Sequence, residues 1–398
     1  MSGPLSSIRI LDISNVLAGP VAAQVLGDYG AEVIKVEHPL IGDGLRNLGR
    51  RKDDIPIWWK VISRNKKLIT LDLSNFEGQE IFKRLVQDAD VVVENFRPGT
   101  LERWGLGYDQ LKLQNPKVIM LRITGFGQSG PYSARPAFGT LIEAMSGFAA
   151  SMGENDGPPV LPPLGLADTL AGISGALAVT MALFSRDRKG GSDRGQEIDL
   201  SILEPLVSVM SPQPSVYDLT GEVAERIGNR SELNAPRNLY KTVDGKWIAM
   251  SSSTTQIATR VMHCIGRQDI ANQDWFQSGP ERVKRGEYLD SVVAEWVSRK
   301  SRDEAIATFE KAQAAVGPVY SVDELMSDPH CVARGVFQRV QDDDFGSLLM
   351  PGLLFQMSET PGKIAFSGSN ISKDTDEILG RLGISTDQLI ELRDKNVI

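Results

Sequence analysis

Short β-rich runs separated by amphipathic helices follow one another through the first third of this chain, and nothing else in it constrains the fold so tightly. Arg9 to Ile13 (RILDI) reads as a strand, Pro20 to Gly30 as a helix opened by proline and stopped by glycine, and Ala31 to Glu37 (AEVIKVE) as the next strand. Lys67 to Leu73, Glu77 to Ala89 and Asp90 to Asn95 repeat the unit, and Pro116 to Gly127 adds a strand running into a glycine turn. Apolar strands of this length with helical crossovers predict an α/β class fold with an open, largely parallel sheet.

With 398 residues the chain exceeds the size at which one core tends to divide. Beyond a proline-rich stretch, Gly153 to Gly165, lies a long Ala- and Gly-rich apolar helix, Ala167 to Gly190, then a strand and helix within Gly195 to Met210. Asn238 to Ser253 reads as a hairpin around Asp244-Gly245, followed by helices near Gln256–Ile265, Gly286–Trp296 and Arg302–Ala315. The expected organisation is a large α/β domain over 1–224, a smaller α+β domain over 225–325, and a return to the large domain over 326–398.

Several function classes drop out on composition. A formal charge of -8 argues against wholesale binding of nucleic acid or an anionic membrane. Cys264 and Cys331 form no C-x-x-C pair, and His38, His263 and His330 are far apart, so neither a disulfide framework nor a metal site is expected. No secretory signal is read at the N-terminus, and the longest apolar run, Leu170 to Phe184, is shorter than a membrane span. A cytoplasmic or organelle-matrix protein is the expectation. Residues 15 to 20, Asn-Val-Leu-Ala-Gly-Pro, lack the glycines of a dinucleotide fingerprint, so no permanently bound cofactor is expected.

Asp168, in GLADTLAG ahead of the long helix, is the carboxylate of most interest. On the sequence alone it reads first as a first-turn acid favoured by the helix dipole and second as a nucleophile able to carry a covalent intermediate. Glu94 to Gly99 ends a strand on the edge where doubly wound sheets bind ligands. Gly125 to Pro131 is either a tight turn or a source of N–H groups for an oxyanion. Arg46, Arg50, Arg51, Arg64, Lys66, Lys67 and Arg103 make the N-terminal part locally basic, as a solvated face or as a mouth for phosphates.

The whole pattern resembles the class III coenzyme A transferases, the family of formyl-CoA transferase, carnitine CoA-transferase and α-methylacyl-CoA racemase. The resemblance rests on LDISNVLAGP (from Leu11), GAEVIKVEHP (from Gly30), SRNKKLITLDL (from Ser63), ADVVVENFRPGTLERWGLGY (from Ala89), ITGFGQSGPY (from Ile123), LADTLAG (from Leu166) and RGQEIDLSILE (from Arg194). It implies an interlocked homodimer, acyl-CoA and small carboxylic acids as substrates, and Asp168 as the nucleophile of an aspartyl anhydride and aspartyl-CoA thioester relay. It also implies CoA contacts at Val16, Ala18, His38, Leu71, Asn95, Phe96 and Arg103. Pro136, Phe138 and Gly139 stand where formyl-CoA transferase has a lysine, a tyrosine and an acid, which argues against oxalate or formate. The racemase branch has a histidine at the position of Phe138. Losing that histidine argues for transfer over racemase-like proton exchange, which with non-catalytic CoA binding is the alternative. Arg135 and Arg237 are candidates to pair with the second carboxylate of a dicarboxylic acid, with succinyl-CoA as donor.

Overall fold

The computed structural model describes residues 3–398, which divide into two compact units. The first comprises residues 3–148, Leu161–Leu219 and Val332–Ile398; the second comprises Ala149–Val160 and Thr220–Cys331. A large α/β domain thus carries a smaller α+β domain as an insertion.

The large domain is built on β1 (Arg9–Asp12), α1 (Ala18–Asp28), β2 (Glu32–Glu37), β3 (Lys66–Thr70), α2 (Phe76–Gln87), β4 (Val91–Glu94) and β5 (Ile119–Thr124). Then come α3 (Gly139–Met145), α4 (Leu166–Asp187), β6 (Glu197–Ser201) and α5 (Leu203–Val209). The six strands are parallel in the order β3-β2-β1-β4-β5-β6. Strand order reverses between β1 and β4, and in open sheets of this kind the crevice beyond the carboxyl ends at that point binds ligands.

Alternate strand residues feed two cores. Leu11, Ile34, Ile69, Val92 and Met120 meet Phe82 and Leu85 of α2 and the C-terminal Leu379, Leu389 and Val397. Ile10, Val33, Val91, Val93, Ile119 and Leu121 meet α1 and α4 through Ala22, Ala23, Ala171, Ala176 and Val179. The C-terminal segment also covers the sheet edge. Asp374 N–H donates to Leu68 O at 2.9 Å, Leu68 N–H to the Asp374 carboxylate at 2.7 Å, and Asp72 N–H to Val397 O at 2.8 Å. Chain that would otherwise offer free ladder groups is thereby paired.

Two local features depart from the expectation. Helix α1 begins at Ala18, two residues before Pro20, because N–H groups in a first turn have no intrahelical partner and proline costs none there. Helix α4 runs 22 residues and is long and apolar enough, by length and composition, to cross a membrane, longer than the run Leu170 to Phe184 suggests. Its Ala/Gly face is nonetheless packed inside the domain. A Cβ on Gly172 would lie 2.7 Å from Ala18 O and 2.7 Å from Val21 Cβ, so glycine is what allows α1 and α4 to approach.

The smaller domain holds the hairpin β7 (Arg237–Lys241) and β8 (Trp247–Ser251), with β9 (Val316–Pro318) completing an antiparallel sheet in the order β9-β8-β7. Helices α6 (Thr255–Cys264), α7 (Gly286–Val297) and α8 (Arg302–Lys311) pack on it through Ala258, Met262, Leu289, Val293, Ala305 and Phe309.

Candidate active site

The segment after β1 is shaped by side chains from other elements. Asn15 and Asn95 exchange hydrogen bonds, Asn15 N–H to Asn95 Oδ1 at 2.7 Å and Asn95 Nδ2–H to Asn15 O at 2.7 Å. Val16 N–H donates to Asp43 Oδ1 at 2.9 Å. Together these bonds hold Val16 at φ 66°, a left-handed conformation unfavourable for a β-branched residue and typical of strain kept at functional sites. The neighbouring turn is fixed by Glu94, whose Oε2 accepts from Phe96 N–H at 2.7 Å and whose Oε1 accepts from Arg122 Nε at 2.7 Å. Burial pushes the Glu94 carboxyl up to about 7 in spite of that guanidinium.

These two turns, at the switch point of the sheet, line a cavity of about 330 Å³ together with Thr124, Gly125, Arg135, Phe138 and Asp168. Asp168 stands in the first turn of α4, whose N-cap is Gly165. The Leu17 side chain leaves no room for a Cβ on Gly165, so the β1 turn bears directly on that helix start. Burial first, then the neighbouring Glu143 carboxylate, raises the Asp168 carboxyl to about 6, with the Gly139 N–H pulling the other way. A Cβ on Gly139 would sit 2.9 Å from Asp168 Oδ2. Glycine there leaves room for the carboxylate.

Val16, Ala18, Asn95, Phe96, Arg135, Phe138 and Asp168 therefore meet around one cavity. The other candidates do not line it. Leu71 is buried in the core, Arg103 is exposed and bonded to Thr100 Oγ1 at 3.0 Å, and His38 accepts from Leu40 N–H at 3.2 Å. Arg237 belongs to the smaller domain, where its Nη1 donates to Asn229 O at 2.9 Å and Arg230 O at 2.7 Å.

The basic mouth needs correction. Arg64 is buried against Asp28 at 2.6 Å, and Lys66 is buried against Asp12 at 2.9 Å. Arg46 pairs with Glu37 at 2.7 Å and Lys67 with Glu32 at 2.6 Å. A buried cation stays charged only beside an acid, so Arg64 and Lys66 are structural, while Arg46 and Lys67 are partly exposed but already paired. In the glycine turn, Gln128 N–H is committed to the Asp199 carboxylate at 3.0 Å and is not a free oxyanion donor.

Sequence reading missed Glu143 and Asp43. Glu143 is a lone acid among the apolar residues of α3, and Asp43 lies in a loop; what each touches is set by tertiary packing.

A carboxylate with a raised pKa, held in a cleft at the C-terminal edge of a parallel sheet, marks a candidate reacting centre of an α/β enzyme. The chain belongs to CoA-transferase family III, whose model matches residues 5–371. It is 39% identical over 397 residues to a succinyl-CoA–D-citramalate CoA-transferase of Chloroflexus aurantiacus, covering 99% of this chain and 98% of that one. It is 36% identical over 401 residues to the alpha subunit of a succinyl-CoA–L-malate CoA-transferase of Chloroflexus aurantiacus, covering 99% and 92%. The crystal structure of a CAIB/BAIF family protein from Brucella suis superposes with a TM-score of 0.83 at 30% identity, covering 96% of this chain and all of that one. CoA transfer between carboxylic acids is the general reaction of this enzyme.

Proposed function

We propose that the enzyme moves CoA from succinyl-CoA to a small dicarboxylic acid, with Asp168 as the covalent relay. The observation that carries the reading is the Asp168 carboxylate, activated by burial in the cavity at the switch point. The Asp168 carboxylate attacks the thioester carbonyl, giving a mixed anhydride and CoA thiolate. The thiolate attacks the aspartyl carbonyl, releasing succinate and leaving an aspartyl-CoA thioester. The acceptor carboxylate then displaces the thiolate to form a second anhydride, and thiolate attack on its acceptor carbonyl yields the new acyl-CoA and free Asp168. Splitting the exchange in this way avoids water and suits a weak nucleophile. CoA is a substrate here, and Val16, Ala18, Asn95 and Phe96 are the proposed contacts for its reactive end.

Arg135 lines the same cavity, its guanidinium 3.6 Å from the Tyr132 ring centroid, and is the proposed partner for the far carboxylate of a dicarboxylate. The relatives whose names specify succinyl-CoA with citramalate or malate support that choice. The test is a panel of labelled mono- and dicarboxylic acids with succinyl-CoA as donor. Dicarboxylates should be preferred, and Arg135→Ala should raise their KM about 10- to 100-fold, the worth of one charged hydrogen bond. Equal rates for monocarboxylates would defeat the substrate assignment. Arg237→Ala run alongside tests whether the second arginine acts on the same carboxylate.

The enzyme is further proposed to work as a homodimer. The face of α4 opposite its buried side presents Ile173, Leu177, Met181 and Phe184, with Phe184 69% exposed, and α3 adds Leu141 and Met145. Contiguous apolar residues of this extent mark an interaction surface. Sedimentation should give twice the chain mass of 43.5 kDa, and Leu177→Glu with Met181→Glu should shift the protein toward monomer. A wild-type monomer at micromolar concentration would contradict it.

A further inference from the structure

Helix α3 touches the first turn of α4 at two points one helical turn apart. Gly139 directs its backbone N–H to the Asp168 carboxylate. Four residues on, Glu143 is 2% exposed and its Oε1 accepts from Ala167 N–H at 3.1 Å. Helix α4 has no side-chain cap of its own, Gly165 being its N-cap, so a carboxylate from a neighbouring helix satisfies one of the N–H groups that the first turn leaves free. Residues four apart share one helix face, which is why a single face of α3 provides both contacts.

We propose that Glu143 is a positioning residue for Asp168: it clamps the first turn of α4 through Ala167 N–H and places a second negative charge beside the reacting carboxylate. The proposal rests on the reading of Asp168 as nucleophile. The clamp fixes where the Asp168 side chain leaves the helix. The charge acts on its reactivity, since a like charge nearby favours the protonated acid and makes the ionised form more basic.

Other charged groups facing this turn are few. Arg97 and Arg135 line the cavity with Asp168, but burial, Glu143 and Gly139 are the causes of its shift. Helix α1 carries Asp28 at its far end, bonded to Arg64. On α5, Glu204 is exposed. On β5 and β6, Arg122 and Glu197 pair with one another at 2.9 Å, and Asp199 accepts from Gln128 N–H.

Two variants separate the clamp from the charge. Glu143→Gln keeps an oxygen for Ala167 N–H and removes the charge; Glu143→Ala removes both. The readout is the pH dependence of kcat/KM for succinyl-CoA, which reports the free enzyme. In the wild type the acid limb should fall near pH 6, the Asp168 value. In Glu143→Gln the limb should move at least half a unit lower, toward the ordinary carboxylate range, with the rate at pH 8 within about fivefold of wild type. Glu143→Ala should lose about 10- to 100-fold in kcat at pH 8, restored in large part by glutamine. An unmoved acid limb in Glu143→Gln overturns the proposal, and that variant, retaining the hydrogen bond, decides the matter even where the alanine variant fails to fold. Trapping the aspartyl adduct in the wild type keeps the two readings apart. Absence of the adduct defeats Asp168 as nucleophile, whereas an adduct with an unmoved limb defeats the role of Glu143 alone.

Discussion

Asp168→Ala should lose CoA transfer by roughly 10³-fold or more, since under the proposed relay it removes the group that carries the covalent intermediate and closes the route instead of slowing one contact. The same variant should be more stable than the wild type at pH 8. Burial and Glu143 hold the Asp168 carboxyl near 6, above its value of 3.8 in a solvated chain. A group whose folded pKa is raised favours the folded state at low pH, and this advantage is lost as pH rises from about 4 through 6. Above pH 7 the ionised side chain therefore costs stability, by about 1–3 kcal/mol on linkage grounds. Urea unfolding of both proteins at pH 4 and pH 8 should show little difference at the first and an advantage for the variant at the second. A proposed nucleophile kept at the expense of stability fits the usual trade between activity and stability. A variant that retained transfer would remove Asp168 from the mechanism, and one that lost transfer together with its fold would assign it a structural role.

How much of this was legible in sequence depends on the range of the interaction that decides each feature. The alternation that predicts a parallel sheet is local, and β1, β2, β4 and β5 lie where RILDI, AEVIKVE, DVVVEN and the run before Gly125 put them. The order β3-β2-β1-β4-β5-β6 is not local, yet it is what makes the turns after β1 and β4 neighbours. Asp168 stood out because a motif surrounds it. Glu143 did not, because nothing in LIEAM says that α3 will lie against the start of α4. Lys66 and Arg64 were misjudged for the same reason. In the sequence SRNKK looks like a solvated basic run, whereas parallel pairing carries Lys66 into the sheet beside Asp12, and Arg64 turns to Asp28. A charge pattern read along the chain cannot reveal an acid 54 residues away.

That buried pairing sets the largest stability effect expected in the molecule. Asp12, fully buried on β1, lies 2.9 Å from Lys66 Nζ and 3.8 Å from Lys35 Nζ; Lys35 in turn lies 2.8 Å from Asp43. Asp12→Ala leaves two buried ammonium groups to share Asp43, and breaking a buried pair by removing one member costs about 3–5 kcal/mol. Burial alone would raise the Asp12 carboxyl, but Lys35, Lys66 and the Ser14 hydrogen bond outweigh it and hold it below 3.8. A depressed folded pKa contributes stability that is complete above the unfolded value and is lost as pH falls through the folded one. The gap between wild type and Asp12→Ala should accordingly be constant from pH 8 to 5 and narrow below pH 4. Urea unfolding across that range measures it, and a gap under 1 kcal/mol at pH 7 would show the cluster to be dispensable. The effect should reach the site as well. Lys66 Nζ donates to Pro20 O at 2.7 Å and Lys35 Nζ to Ser14 O, so the lysines that Asp12 neutralises grip both ends of the segment bearing Val16 and Ala18. Molecules of Asp12→Ala that remain folded should therefore show a raised KM for acyl-CoA, because strain at Val16 persists only while its surroundings enforce it.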